Sequence, residues 1–177
     1  MIETERLVLR PWRDEDRAPF AELNADPQVM RYFPAPLSRE ESDAVVDRLI
    51  TRHAEHGFTF APAERKADAL FLGFVGLTRT EVGQSFDGAP EIGWRLRREA
   101  WGQGYASEAA GAWLDWAWAN LPGEEEVVSF TASTNEPSRR VMQRIGMTRR
   151  PDLDFDHPSV PDGHALKPHI VYSIGRP

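Results

Sequence analysis

Two glycines one residue apart, Gly102 and Gly104, interrupt the stretch EIGWRLRREAWGQGYASEAAGAWLDWAWANL (residues 91–121) where an apolar strand-like run meets a long apolar-periodic segment. Loss of two side chains at that junction exposes consecutive backbone N–H groups, from Gln103 through Tyr105 and Ala106 to Ser107, at a helix N-terminus. Such a turn suits an anion, most often a phosphate, because unpaired amides and the helix dipole act together. A Walker loop would need Gly-Lys-Ser/Thr, which is absent. A dinucleotide fingerprint would need a third Gly or Ala where Ser107 stands. A lone Gly-x-Gly also serves as a plain turn, so the rest of the chain has to separate the two readings.

Composition narrows the chemistry. The 177 residues fit one domain that can bury a core without metal or disulfide staples. Cysteine is absent, which removes disulfides, thiolate metal sites and a cysteine nucleophile together and fits a reducing cytoplasm. The start, MIETERLVLR, alternates charged and apolar residues and has no signal-peptide pattern. Glu108 and Asp115 break the longest apolar stretch, so neither secretion nor a membrane span is expected. A formal charge of −7 argues against nucleic acid as a partner. His53 and His56 share a helix at i, i+3 with no third ligand, so no metal site is expected.

The pattern around the turn reads as an α/β order. Residues 2–10 are expected as a strand and 14–25 as a helix. Ser38 and Glu41 form a capping box for a second helix that carries Val45, Leu49 and Ile50 on its apolar side and ends near Gly57. FTF (58–60) and LFLGFVGLTR (70–79) are expected to pair as strands, with APAERKADA joining them. Residues 91–97 form a strand and 104–119 a helix in which Ala106, Ala109, Ala110, Trp113 and Ala117 share a face. Residues 126–132 are a strand, NEPSRRVMQRIG a helix closed by Gly146, and HIVYSI a last strand with Ile170, Tyr172 and Ile174 on one side. Residues 151–168 read as one irregular loop.

TERLVLRPW, EIGWRLRREAWGQGYASEA, TNEPSRRVMQRIGM and FDHPSVPDGHALKPHIVYSI, in that order, resemble the GNAT superfamily of acetyl-CoA-dependent N-acetyltransferases, and within it the branch of the RimJ and RimL N-terminal acetyltransferases. The likeness covers nearly the whole chain. It implies a mixed, mostly antiparallel sheet flanked by helices, with a splayed parallel strand pair (91–97 and 126–132) where acetyl-CoA enters. A crossover helix must join such a pair. The family's Arg/Gln-x-x-Gly-x-Gly/Ala pyrophosphate loop falls on Trp101 to Ala106, with Trp101 in place of the basic or amide residue.

By the same resemblance, Leu96, Arg97 and Arg98 pair with the pantetheine arm and Asn135 touches the cofactor; Asn135 would equally serve as a helix N-cap. The family tyrosine that protonates the leaving thiolate is replaced here by Met142, which leaves Ser138, the branch's alternative, as the donor. A backbone N–H near Leu96 is the expected oxyanion donor. Glu91 is positioned to take the amine's proton through water, with Asp156, His157 and His169 as other candidates. Glu91 also shares a strand face with Arg95 and would pair with it in a purely structural role. The expected acceptor is a primary amine, either a protein N-terminus or a small amine. A catalytically silent acyl-CoA-binding module is the alternative, suggested by Met142. Residues 27–37 and 151–167, with Arg31, Tyr32, Phe33 and Phe155, are the expected acceptor mouth. Oligomeric state is not legible.

Overall fold

Residues 2–9 do not run straight. In the computed structural model, which describes residues 1–177, they form a tight hairpin of β1 (Ile2–Glu3) and β2 (Leu7–Leu9), with Ile2 opposite Leu9. The Thr4 hydroxyl accepts the Leu7 N–H at 3.0 Å and closes the turn. The expected single strand over 2–10 is therefore corrected to two, because a threonine able to hold a local turn outweighs the alternation.

Next come α1 (Arg17–Ala25), entered through a short 3-10 turn at Asp14–Asp16, and α2 (Arg39–His56). The capping box forms as expected. Ser38 Oγ accepts the Glu41 N–H at 3.2 Å, and Glu41 Oε2 accepts the Ser38 N–H at 2.7 Å. Gly57 closes the helix at φ 79°. The buried face of α2 centres on Val46 and Leu49, while Ile50, expected inside, is exposed.

Strands β3 (Phe60–Arg65) and β4 (Leu70–Arg79) form an antiparallel hairpin. Here the expectation is corrected again: Ala61 to Arg65, taken as connection, are strand, and only 66–69 turn. Pro62 and the charged Glu64 and Arg65 masked the strand. Pro62 is tolerated because its backbone faces β2, where its carbonyl accepts the Arg10 N–H at 3.2 Å just past the end of that strand, so the missing N–H leaves the β4 ladder intact.

The second half follows as β5 (Pro90–Leu96), α3 (Tyr105–Asn120), β6 (Glu126–Ala132), α4 (Glu136–Arg144), β7 (Thr148–Arg149), β8 (Phe155–Asp156) and β9 (Pro168–Gly175). The nine strands form one sheet ordered β1-β2-β3-β4-β5-β6-β9-β7, with β8 also on β9. The loop expected over 151–168 thus contains a short paired strand. No helix is long and apolar enough to cross a membrane.

The two faces of the sheet bury separate cores. On one, α3 packs Ala109, Ala110, Trp113 and Ala117 against Val75, Leu77, Ile92 and Tyr172. On the other, Phe20, Leu23, Val46 and Leu49 of α1 and α2 cover Phe71 and Phe74. All pairings are antiparallel except β5 with β6, which share one register pair, Glu91 with Val128, and then diverge. This is the mixed sheet with a splayed parallel pair.

At the diverging end β4 approaches β5 closely. Gly73 has φ 127°, and a Cβ there would lie 2.1 Å from the Arg95 carbonyl oxygen. Backbone strain at such an angle and overpacking each amount to about 1–3 kcal/mol. Gly73→Val is therefore expected to lose about 2 kcal/mol or more in urea denaturation, whereas Gly111→Ala, on the open side of α3, is expected to lose nothing.

Candidate active site

The opening between β5 and β6 has an edge of unpaired backbone, and the register identifies it. The Arg97 N–H donates to the Leu72 carbonyl at 2.8 Å, and the ladder pairs Arg95 with Phe74 and Gly93 with Gly76. Alternation along an antiparallel ladder then turns the backbone groups of Gly93, Arg95 and Arg97 toward β4 and those of Trp94 and Leu96 toward the wedge. Beyond Glu91 and Val128 no β6 residue stands in register with them. The Leu96 carbonyl accepts the Trp101 indole N–H at 2.8 Å, which gives Trp101 a local structural role.

Of the backbone positions expected along the wedge, Leu96 is there, and Trp94, which the sequence reading did not include, joins it on the same side of the alternation. Arg97 and Arg98 stand away from the opening. Arg97 lies on Glu99 (3.1 Å) and the Phe71 carbonyl, and Arg98 on Asp26 (2.8 Å).

At the wedge mouth, Gly102 and Gly104 both take positive φ, 73° and 83°. Their role includes backbone conformation as well as access: a Cβ at Gly102 would meet nothing, but left-handed backbone disfavours any side chain. The amides of Gln103, Gly104, Tyr105, Ala106 and Ser107 donate to no protein acceptor; the first helical bond of α3 is Glu108 N–H to Gly104 carbonyl. Ser107 Oγ is buried without a partner. A row of free amides beside an orphaned hydroxyl fits a phosphate or pyrophosphate.

The loop is held by a clamp that the sequence reading missed. Glu108 Oε1 accepts the Arg6 N–H (2.9 Å) and the Thr4 hydroxyl (2.5 Å), and Glu108 Oε2 accepts the Arg6 Nε–H (2.6 Å). Arg6 Nη1 then donates to the Gln103 carbonyl at 2.9 Å, with the guanidinium over the Tyr105 ring. Burial alone would raise the Glu108 pKa; the Thr4 hydroxyl and Arg6 outweigh it and hold the carboxyl below its ordinary value. The β1–β2 turn that breaks the first strand thus has a use, since it carries Thr4 and Arg6 to the loop.

The wedge opens into a cleft of about 740 Å³, within the range of small-molecule sites. Gly102, Gly104, Tyr105, Ala106, Ser107, Leu96, Asn135, Ser138 and Glu91 all line it. Asn135 is the N-cap of α4: its Oδ1 accepts the Ser138 N–H at 3.3 Å and its Nδ2 donates to Thr131 Oγ1 at 2.9 Å. Met142 is fully buried and faces the core, away from the cleft.

On the α1–α2 side of the cleft stand Tyr32, Phe33, Phe60 and Phe74, with Glu91 and Arg95. Glu91 makes no hydrogen bond, and burial pushes its carboxyl up to about 8 against a small opposing pull from Arg52. It does not pair with Arg95, because four residues of extended strand separate the two by about 13 Å. His157 and His169 face the cleft with rings 4.7 Å apart. Burial lowers both pKa values; for His157 the neighbouring His169 and Lys167 add to this, and for His169 the Lys167 carbonyl and Asp156 partly oppose it. His169 Nδ1 lies 3.1 Å from the Lys167 carbonyl; the tautomer that donates there leaves an Nε2 lone pair. Phe155 packs among these rings instead of forming a separate mouth, and Asp156 lies exposed on β8.

Residues 6–148 match the family model described as an acetyltransferase (GNAT) domain. The chain belongs to the GNAT acetyltransferase family. The FsC-acetyl coenzyme A-N(2)-transacetylase of Aspergillus fumigatus is 32% identical over 181 residues, covering 99% of this chain and 76% of that protein. A GNAT-family acetyltransferase structure from Bacillus anthracis superposes with a TM-score of 0.80 at 25% identity, covering 99% of this chain and 98% of that one. RimL, the ribosomal L7/L12 alpha-N-protein acetyltransferase in complex with coenzyme A, shares the fold at a TM-score of 0.75 and 18% identity, covering 97% and 95%. This GNAT chain is thus an acetyltransferase with acetyl-CoA as donor.

Two outcomes test the loop. Gly104→Val is expected to weaken acetyl-CoA binding at least tenfold by calorimetry, and Arg97→Ala less than twofold. For the clamp, a carboxyl held low in the folded state adds stability above its unfolded pKa of about 4.3 and loses it as pH falls through the folded value. The melting temperature of Glu108→Gln is expected below wild type at pH 7, with the gap closing as the pH is lowered past 4.

Proposed function

We propose that this acetyltransferase passes the acetyl group directly from acetyl-CoA to a primary amine, a peptide N-terminus or a small amine, with no covalent enzyme intermediate, and that it sits with the RimJ/RimL-like branch. The observation that carries the proposal is the wedge itself: unpaired strand backbone and free helix-start amides on one side, and a half-buried carboxyl and Ser138 in the same cleft. That RimL is seen with coenzyme A on the same fold supports acetyl-CoA as the occupant.

In this scheme the pyrophosphate lies on the Gln103 to Ser107 amides and the Ser107 hydroxyl. The pantetheine amides extend β5 as an added strand against Trp94 and Leu96. Such placement leads the thioester toward Ser138 and Glu91. Whichever β5 N–H near Leu96 the pantetheine leaves free then stabilises the oxyanion as the amine attacks.

The amine must lose a proton, and Glu91, with a pKa of about 8, is matched to an ammonium near neutral pH. Ser138 Oγ donates to no protein group and is free to protonate the departing thiolate, an alkyl thiol of pKa about 8.5. A second assignment of the base rests on the free Nε2 of His169, kept neutral by burial in the same cleft.

A single proton donor or acceptor contributes typically ~10²–10⁴-fold. Ser138→Ala is expected to lower kcat at least tenfold while acetyl-CoA still binds, measured by thiol release under conditions where chemistry limits the rate. Glu91→Gln is expected to lower kcat and to remove the rise in kcat through about pH 8. If kcat instead rises below about pH 6.5, and that rise persists in Glu91→Gln and disappears in His169→Ala, the base is His169. Absence of thiol release with every amine would leave a silent acyl-CoA-binding module.

A further inference from the structure

The chain treats two of its arginines, the buried Arg10 and the half-buried Arg95, in opposite ways. Arg10 is held by carboxylates on every side: Asp16 takes Nη1 and Nη2 at 2.8 and 2.7 Å, and Glu64 takes Nε at 2.8 Å. Arg95 on β5 has no carboxylate. Its Nη1 donates to Asn24 Oδ1 at 2.6 Å, Nε is buried without an acceptor, and Nη2 makes no protein hydrogen bond. An unneutralised cation in such surroundings is unfavourable unless something supplies the missing charge.

The neighbourhood fixes the group in place. Asn24 is fully buried, and its Nδ2 donates to the equally buried Ser42 Oγ at 2.9 Å, so α1 and α2 together orient the amide that receives Nη1. The Phe33 ring lies 4.2 Å from the guanidinium carbon and the Phe74 ring 5.5 Å. A guanidinium stacked on an aromatic face and lining a cleft, with Nη1 committed and Nε and Nη2 unpartnered, has donors left for a planar anion.

The charge of the cleft points the same way. The protein carries −7, yet Glu91 is the one carboxyl lining the cleft, against Arg31, Arg95, Arg140 and Arg144. Arg140 and Arg144 belong to α4, on the Ser138 side. Arg95 stands across the wedge, on the face shared with Phe60 and Phe74. Asp26, the one acid in the connection after α1, is committed to Arg98 at 2.8 Å.

We infer that the acceptor amine carries a carboxylate, which docks on Arg95 between Phe33 and the Asn24 amide. This rests on the acetyl-transfer reading given above and narrows it. The amine reaches the thioester while its acidic group is held on the α1–α2 side, and a polycationic amine is a poor fit. The carboxylate has two sources, a free amino acid or related small molecule, and an acidic side chain near a peptide N-terminus.

Paired acceptors test it. One arm compares amino acids with their carboxamides. The other compares C-terminally amidated peptides bearing Asp or Glu at the first two positions with the same peptides bearing Asn or Gln. In at least one arm the acid is expected to exceed its neutral twin by tenfold or more in kcat/KM, mainly through KM, and that arm identifies the source. In Arg95→Gln the ratio is expected to fall to about one, and in Arg95→Lys to an intermediate value. Calorimetry with acetyl-CoA reports separately that each variant is folded. Equal or greater use of the neutral twin in both arms, or an acid preference that survives Arg95→Gln, overturns the assignment of Arg95 and leaves acetyl transfer standing. If no amine in either arm is acetylated while other primary amines are, this inference falls and acetyl transfer stands; if no amine of any kind releases thiol while acetyl-CoA binds, both fall.

Discussion

One constraint organises the molecule: β5 and β6 must run parallel and yet stay paired at only one position. Parallel neighbours need a crossover element, and α3 supplies it. If the pair had zipped along its length, Trp94 and Leu96 would bond to β6, and α3 would begin against a closed sheet. Divergence after Glu91 and Val128 leaves both the strand edge and the helix start open to the same space. The close approach of Gly73 to Arg95 sets β5 against β4, and the Trp101 indole occupies the Leu96 carbonyl on the wedge side.

The parts of the cleft are held by distant segments. Arg6, Thr4 and Glu108 bind the chain's first turn to the glycine loop. Asn24 and Ser42 bind α1 and α2 to Arg95. The α3 core on one face and the α1–α2 core on the other give these contacts rigid supports. Burial then does the electrostatic work: it raises the Glu91 carboxyl and lowers the His157 and His169 imidazoles, so each is near neutral at ordinary pH. Burial lowers the Arg95 guanidinium only to about 10, so it stays charged at ordinary pH. The cleft is therefore locally cationic inside an acidic protein.

Much of this was legible along the chain, because it depends on neighbours in sequence. The Ser38 and Glu41 capping box, Gly57 and Gly146 at helix ends, the alanine face of α3 and the Gly102/Gly104 turn are local patterns, and each appears where expected. The strand Phe60–Arg65 was missed because a proline and a charged run read as loop, and only the position of β2 shows why Pro62 is tolerated. The first strand was read as continuous because the Thr4 turn is stabilised by Glu108, more than a hundred residues away.

The sequence by itself determined the order of elements, the absence of cysteine thiols, and a glycine turn between a strand and a helix, since all three follow from residue types and short spacings. Only the tertiary structure decided which backbone groups face the wedge, that Arg97 and Arg98 stand outside it, and that Glu91 and Arg95 are apart. Strand register and burial are set by contacts between distant segments. The charge that a carboxyl or guanidinium lacks depends on what folds against it, and no spacing along the chain records that.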